Sequence, residues 1–220
     1  MSQTTGMECA SKVDGRLARG DAKRRAILDR AVDMASLGGL ESLSIGKLAT
    51  ELGISKSGAL LHFGSKEELQ LAAIAHAAER FTRAVVVPAL EHPAGLARLW
   101  HLTSGWLFHI EAQIFPGGCF FATVGAEFNA RPGRVHDAIA AAHRHWSDLL
   151  EHQVEAARET GQLREEITPE RLGFELDALL RQANMLRQLH GSSTVISHAR
   201  QAVKDLIIRV ATPEAARHLS

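Results

Sequence analysis

Helical periodicity constrains the fold of this chain more than any other feature of its sequence. Between Asp21 and Val210, apolar residues recur at intervals of three and four, in segments that glycine and proline residues separate. No stretch alternates apolar and polar residues for long, so the sequence predicts no β-sheet. We therefore expect an all-α fold, and the 220 residues are enough for a small domain joined to a larger one.

The first helical segments are short and closely spaced. A helical pattern over residues 21–37, with Asp21 suited to cap it, precedes a shorter one that Ser42 or Ser44 can cap. Gly53 ends the second helix where a left-handed residue is usual, and a third helix is predicted to begin at Ser55. Three short helices, two of them joined by a tight turn, are what a helix-turn-helix unit requires.

The start of the third helix is small and polar, with Ser55, Lys56, Ser57 and Gly58 in sequence. The second helix of a helix-turn-helix unit lies in the major groove of DNA. There, small and polar residues let the backbone approach phosphates and let side chains reach base edges. The alternative is an ordinary polar helix start that Ser55 caps, and this segment alone does not separate the two.

The start of the fourth helix favours the nucleic-acid interpretation. Ser65 and Glu68 have the spacing of a capping box, and an apolar-periodic helix follows through Ala84. Lys66 lies in the first turn, where a cation is unfavourable because the helix N-terminus is the positive end of the helix dipole. A phosphate bound at this position would interact favourably with both the lysine ammonium group and the N-terminus of the helix.

The rest of the chain is predicted to be helical as well. Pro88 and residues 91–95 should break the fourth helix. Later helices are expected over residues 96–113, 119–128, 135–160, 169–189 and 194–210.

Charge and hydropathy restrict the class of protein. The chain has 25 Lys and Arg residues against 25 Asp and Glu residues, so net charge argues neither for nor against a polyanionic partner. No segment approaches the ~20 apolar residues of a membrane span, and no signal peptide precedes Gly20. We therefore expect a cytoplasmic protein with no membrane partner, and the two cysteines fit a reducing compartment.

No motif for a metal, a cofactor or catalysis is present in the sequence. The 12 histidines include no HExxH pair, and CxxC, glycine-rich phosphate loops and a GxSxG turn are absent. We therefore expect no metal, no cofactor and no catalytic residue.

One ordered segment resembles the DNA-binding segment of the tetracycline-repressor (TetR) family. It reads RRAILDRAVDMASLGGLESLSIGKLATELGISKSGALLHFGSKEELQLAAI and covers about Arg24–Ile74. The later helices are similar in number and length to the family's ligand-binding and dimerisation domain, and PGGCFFATVGAEFNARPG resembles one of its C-terminal subtypes. The resemblance implies a flexible tail over residues 1–20, a DNA-binding domain over 21–81, and a helical effector-binding and dimerisation domain over 82–220.

The resemblance also implies a set of DNA contacts. The family usually has an aromatic residue where this chain has Leu60, so either a phosphate contact is missing or Leu60 makes an apolar contact with a thymine methyl group or a sugar. Phe63 matches the aromatic residue that fixes the third helix to the core. The candidate DNA-binding residues are Ser44, Lys47, Ser55, Lys56, Ser57, Gly58, Leu60, His62 and Lys66.

The later aromatic residues have two interpretations: they fill a helical core, or some of them line a cavity for an apolar effector. The candidate cavity residues are Trp106, His109, Phe120 and Val124. The last two amphipathic helices either pack on their own chain or, as the resemblance implies, pair with a two-fold copy. The candidate interface residues are Leu172, Leu176, Leu179, Ala183, Leu186, Ala199, Val203 and Leu206.

These observations together predict a homodimeric transcription regulator. We expect a repressor that a small, largely apolar effector releases from a palindromic operator by shifting the fourth helix. The alternatives are an enzyme that uses the cavity, or a protein-interaction module, with the helix-turn-helix unit as an accessory. Turnover that a His109→Ala variant loses would favour the enzyme, and binding that survives high salt would favour the interaction module.

Overall fold

The computed structural model describes residues 5–164 and 166–217, with the side chains of residues 5–19 and of Leu60 excepted. This part of the chain is helical and contains no strand, which confirms the all-α prediction. A π-helical segment, Thr82–Val86, joins α4 to α5. The helices are α1 (Thr5–Gly38), α2 (Ile45–Glu51), α3 (Lys56–Phe63), α4 (Lys66–Phe81), α5 (Val87–Leu90), α6 (Leu96–Glu111), α7 (Phe120–Phe128), α8 (Arg134–Glu159), α9 (Pro169–His190), α10 (Thr194–Val210) and α11 (Pro213–Arg217).

Local capping contacts set the helix-turn-helix unit. The Ser44 hydroxyl accepts a hydrogen bond from the Lys47 N–H at 3.1 Å, so Ser44 rather than Ser42 caps α2. Gly53 turns the chain with a φ of +63°, a left-handed backbone conformation that is costly for a residue with a side chain. The Ser65 hydroxyl accepts the Glu68 N–H at 3.1 Å, as its capping-box spacing predicts.

Helix α1 begins much earlier than the sequence predicts. It starts at Thr5 rather than at Asp21, so residues 5–20, assigned to a tail, belong to a helix. Asp21 therefore lies inside the helix and caps nothing. The physical reason is that the segment before Asp21 contains no proline and several good helix formers, and its glycines weaken a helix without ending it.

Pro88 does not break the fourth helix as the sequence predicts. The chain stays helical through the π-helical segment and α5 to Leu90. The Val87 N–H donates to the Thr82 carbonyl, five residues back, just before the proline. A wider turn of this kind accommodates a residue that lacks an N–H, so the proline is tolerated where a regular helix would kink or end.

Two apolar cores hold the molecule together. The first lies among α6, α8, α9 and α10. The second joins α1–α4 to Phe120, Val124 and Phe128 of α7 and to Val135 and Ile139 of α8. The second core therefore crosses the boundary predicted between residues 81 and 82, and α7 completes the packing of the N-terminal unit.

Candidate nucleic-acid interface and ligand cavity

The turn between α2 and α3 presents an exposed polar face. Ser44, Lys47 and Lys56 are exposed, whereas Ala59 and Phe63 on the other face of α3 are buried in the second core. Neither lysine forms a salt bridge with a described residue. We call this face the recognition surface, and its described members are Ser44, Lys47, Ser55, Lys56, Ser57, Gly58 and His62.

The recognition surface is held by short-range contacts. The Ser55 hydroxyl oxygen accepts a hydrogen bond from the Gly58 N–H at 3.1 Å. The Ser57 hydroxyl oxygen lies 3.3 Å from the Ser55 hydroxyl oxygen. Ser55 therefore caps α3 and lies on the surface at once, so the two interpretations of this segment do not exclude each other. Leu60 lies within α3, but its side chain is outside the part of the structure that is described.

Lys66, a candidate phosphate contact, is already paired within the chain. Its Nζ donates to the Glu41 carbonyl oxygen at 2.8 Å and to the Glu41 carboxylate at 3.1 Å. The hydrogen bond from Lys66 is the largest cause that lowers the pKa of the Glu41 carboxyl. Lys66 thus fastens the start of α4 to the α1–α2 loop, and a phosphate would have to compete with Glu41 for it.

Glu127 of α7 clamps the same loop from the other side. Its two carboxylate oxygens accept the backbone N–H groups of Leu40 at 2.7 Å and Glu41 at 2.9 Å. Gln70 of α4 donates to the Leu40 carbonyl at 2.9 Å. A single carboxylate from the C-terminal part therefore positions the loop that leads into α2.

Two further contacts join the N-terminal helices to the α6–α7 loop. Arg80 of α4 donates to Asp33 of α1 at 2.9 Å and to the Ile114 carbonyl of the α6–α7 loop at 2.5 Å. In that loop, the Gly117 N–H donates to the Ser36 hydroxyl at 3.1 Å, and a Cβ at Gly117 would lie 2.0 Å from the Ser36 carbonyl oxygen. The end of α1 is therefore in direct contact with the chain that enters α7.

An apolar cavity of about 630 Å³ lies between the end of α4 and helices α6–α9, and we call it the inner cavity. Its aromatic wall includes Phe81, whose ring meets those of Trp146 and Phe121 edge to face at centroid distances of 5.4 and 6.4 Å. The lining residues are Ala78, Phe81, Thr82, Val86, Leu90, Trp106, Cys119, Phe121, Ala141, Ala142, His143, His145, Trp146, Leu149 and Arg181.

A polar network stands at one end of this cavity. Arg181 of α9 donates from Nε to the Asp177 carboxylate and from Nη2 to His143 Nδ1, the latter at 2.7 Å. The Trp146 indole N–H donates to Asp177 at 2.9 Å. Burial, and then the charge of Arg181, lowers the pKa of His143, so its ring stays neutral and accepts from the guanidinium.

Among the four candidate cavity residues, Trp106 alone lines the inner cavity. Phe120 and Val124 lie fully buried in the second core. His109 is buried and donates from Nδ1 to the Trp106 carbonyl, and its Nε2 has no hydrogen-bond partner among the described residues. Burial lowers the pKa of His109 to about 4.

Sequence reasoning missed most of the residues around this cavity. Phe81, Trp146, His143 and Arg181 come from α4, α8 and α9, and no spacing in the sequence connects them. A helical pattern shows that a residue lies on one face of its own helix, but not which distant helix faces it.

The candidate interface residues pack mainly on their own chain. Leu172, Leu176, Ala183, Ala199, Val203 and Leu206 are buried, and Leu179 and Leu186 are half-buried. The opposite face of α9 exposes Phe174 (75%), Met185 (46%) and Leu189 (70%). With Ala178 and Gln182, which are also exposed, these residues have the spacing of one helix face, which we call the outer stripe.

The described residues include neither a metal cluster nor a membrane-spanning helix. Among residues 5–164 and 166–217, no group of three or more His, Cys, Asp or Glu side chains is placed to hold a metal ion. No helix in this part of the chain is both long and apolar enough to span a bilayer.

Two family models match the sequence. Residues 27–73 match the model described as bacterial regulatory proteins, tetR family. Residues 95–203 match the model described as tetracyclin repressor-like, C-terminal domain. The curated proteins compared with the chain include no match.

Many solved structures share the fold. A TetR transcriptional regulator from Chloroflexus aurantiacus is similar with a TM-score of 0.82 and 22% identity, over 88% of this chain and 98% of that one. A regulator structure from Saccharomonospora viridis in complex with choline gives 0.75 and 21%, over 87% and 99% of the two chains. AibR in complex with isovaleryl coenzyme A and operator DNA gives 0.69 and 20%, over 84% and 97%.

Proposed function

The chain belongs to the tetracycline-repressor family of transcriptional regulators, and from this premise we propose that it binds operator DNA as a homodimer and leaves it when an effector occupies the inner cavity. The observation that carries the proposal is the recognition surface. Two exposed lysines and three exposed serines cover the outer face of α2, α3 and their caps, while the inner face is buried in the second core. The proposed place of action is the cytoplasm, where DNA is accessible.

DNA binding at this surface follows from its chemistry. Lys47 and Lys56 supply charge for phosphates, and the serines and Gly58 let α3 approach the groove closely. Lys66 contributes less directly than the sequence suggests, because its partner Glu41 neutralises its charge. In the proposal, Lys66 positions the helix-turn-helix unit, whose domain spans residues 21–81.

Dimerisation is proposed to use the outer stripe of α9. A single helix-turn-helix unit binds weakly, and two-fold pairing places two units on the half-sites of a palindrome. Phe174, Met185 and Leu189 are exposed large apolar residues on one helix face, and such a patch marks an association surface more often than an ordinary solvated one. The buried leucines on the opposite side of α9 pack in the first core and hold this face in position.

Effector response is proposed to pass from the inner cavity to the α1–α2 loop. Phe81 and Thr82 line the cavity, and the helix that carries them begins at Lys66. A ligand that moves this helix also moves the Arg80 contacts with α1. Two similar structures hold small molecules: one holds choline, and the other holds isovaleryl coenzyme A together with operator DNA, which supports an effector-binding domain over residues 82–220 whose cavity is completed by the end of α4.

The test is selection of bound fragments from random DNA at two salt concentrations. Wild type, Lys56→Ala and the control Lys204→Ala, on α10 far from α3, are compared. We expect wild type and the control to enrich the same palindrome, with binding that weakens steeply because roughly eight neutralised phosphates give a log–log slope of about −7. Lys56→Ala should change or abolish the preference. Failure of wild type to enrich any site at either salt concentration would overturn the proposal.

A further inference from the structure

We propose that the inner cavity binds an apolar compound that carries a carboxylate, with the carboxylate at Arg181 and the apolar body against Phe81 and Trp146. This inference rests on the proposed function, because it names the chemical class of the effector for the same cavity. The size of the cavity, the charges around it and the unused hydrogen-bond donors of Arg181 support it.

The size and lining of the cavity suit a compact apolar body. Its volume of about 630 Å³ lies within the range of ~300–1,000 Å³ that is usual for small-molecule sites. Phe81, Trp106, Phe121 and Trp146 give it aromatic walls, and aliphatic residues of α4 and α8 fill the gaps between them. Flat or chain-like apolar groups bury surface well against such walls.

The charges around the cavity favour an anionic head group over a cationic one. No Asp or Glu is among the described residues that line it, and Arg181 is the one lysine or arginine among them. The adjoining outer cavity, between the end of α1 and helices α7–α9, has Arg181 in its lining as well and is also without a lining carboxylate. Burial raises the pKa of Cys119 to about 11, so the thiol adds no negative charge.

Arg181 has donors to spare and is already held in place. A guanidinium has five N–H donors, and the bonds to Asp177 and His143 use two of them. The others have no hydrogen-bond partner among the described residues, and the side chain is 35% exposed. Asp177, itself fixed by the Trp146 N–H, orients the guanidinium at the cavity wall, so a carboxylate can bind it without first ordering it.

The direct test uses probes that differ only in their head group. These are 4-phenylbutyrate, 4-phenylbutyramide and 4-phenylbutylamine, together with decanoate, decanamide and decylamine as a longer set. Binding is measured near neutral pH by tryptophan fluorescence, because Trp106 and Trp146 line the cavity, and by thermal shift. We expect the acids to bind at least roughly tenfold more tightly than the amides, since hydrogen bonds to charged groups are the stronger ones, and the amines most weakly.

Three variants assign the effect to Arg181. Arg181→Met should lower acid affinity roughly tenfold and leave amide affinity nearly unchanged. Arg171→Met, the matched control, removes an exposed arginine on the same helix that pairs with Glu175 and should change neither. Asp177→Asn can keep the acceptor for Trp146 but removes the competing carboxylate, so it should strengthen acid binding.

Several results would overturn the inference. They are equal affinity for acid and amide, tightest binding of an amine, an unchanged acid affinity in Arg181→Met, or no acid bound at millimolar concentration. Operator binding is measured separately. A protein that binds its operator but no acid contradicts this inference alone, whereas acid binding in a protein that enriches no DNA site contradicts the proposed function alone.

Discussion

The recognition surface and the inner cavity differ in how far apart along the chain their contacts lie. At the surface, the serine caps join residues three apart, as Ser44 joins Lys47 and Ser55 joins Gly58. The cavity brings together Phe81 of α4 and Arg181 of α9, which are far apart in the sequence. A surface built from local contacts can therefore be inferred from sequence, whereas a cavity built from distant ones cannot.

The two regions are nonetheless mechanically joined. Glu127, Arg80 and Gly117 each contact α1 or the loop after it. Coupling between sites requires an element whose position both sites affect, and we propose the end of α1 and the α1–α2 loop as that element.

The largest effect is expected at α7, where Phe120 is fully buried in the second core and Phe121 lies between that core and the cavity. Phe120→Ala should lower the free energy of unfolding by about 3–5 kcal/mol, because Phe120 is fully buried in the core of the recognition unit. Phe121→Ala should cost roughly 1–3 kcal/mol, because Phe121 is half-buried and borders the cavity. Urea unfolding followed by circular dichroism measures both. Equal losses would show that α7 does not divide the regions as described.

The second effect concerns acid stability near the cavity. The unfolded His109 has an ordinary pKa near 6.5, and burial lowers the folded pKa to about 4. The stabilisation from the neutral ring is complete above pH 6.5 and is lost as pH falls from 6.5 towards 4, because only the unfolded state then gains the proton. The loss is about 3 kcal/mol.

The His109→Leu variant isolates this contribution. Between pH 7 and pH 4, the unfolding free energy of wild type should fall by about 3 kcal/mol relative to that of the variant, because contributions of other groups cancel in the difference. Parallel curves would show that His109 titrates normally in the folded protein.

A third test separates binding in the cavity from response at the DNA. Glu127→Gln keeps one acceptor oxygen but loses the charge and one of two backbone bonds, so it should cost about 1–2 kcal/mol of stability. We expect probe binding in the cavity to be unchanged and the response of operator binding to the probe to weaken. Glu155→Gln, at a half-buried α8 position paired with Arg158, is the control. An unimpaired response would place the coupling elsewhere.

The smallest effect distinguishes two lysines by salt dependence. Lys47→Ala should reduce the log–log slope of operator binding by about 0.9, the value for one phosphate contact. The sequence predicts a change of about one for Lys66→Ala as well, but the pair with Glu41 should make its change clearly smaller. Titration of operator at several salt concentrations measures both, and equal slopes would show that Lys66 leaves Glu41 for DNA.

Much of the fold could be predicted because helix ends have local signals. Ser65 caps α4, Gly53 ends the turn after α2, and α10 spans the predicted Thr194–Val210. The early start of α1 and the tolerance of Pro88 had no such signal. A helix continues wherever nothing stops it, and the wide turn that accommodates the proline depends on how the chain around it packs.

The candidate cavity and interface residues show where periodicity stops being informative. Helix α7 is apolar on two faces, so its pattern cannot tell that Phe120 meets the second core and Phe121 the cavity. Helix α9 likewise has leucines on an inner face and Phe174 on an outer one. Sequence identifies apolar faces, but the partner of each face is a tertiary property.

The close approach of Gly117 to α1 has a consequence for comparing relatives of this protein. Because even one methyl group there would collide with the Ser36 carbonyl oxygen at 2.0 Å, substitution at this site is confined to chains whose α1 lies farther away. A related sequence with glycine at the aligned position can retain the tight junction, whereas one with any side chain must separate α1 from the α6–α7 loop. Divergence at a single column of an alignment would then sort the relatives by how rigidly their two halves are joined.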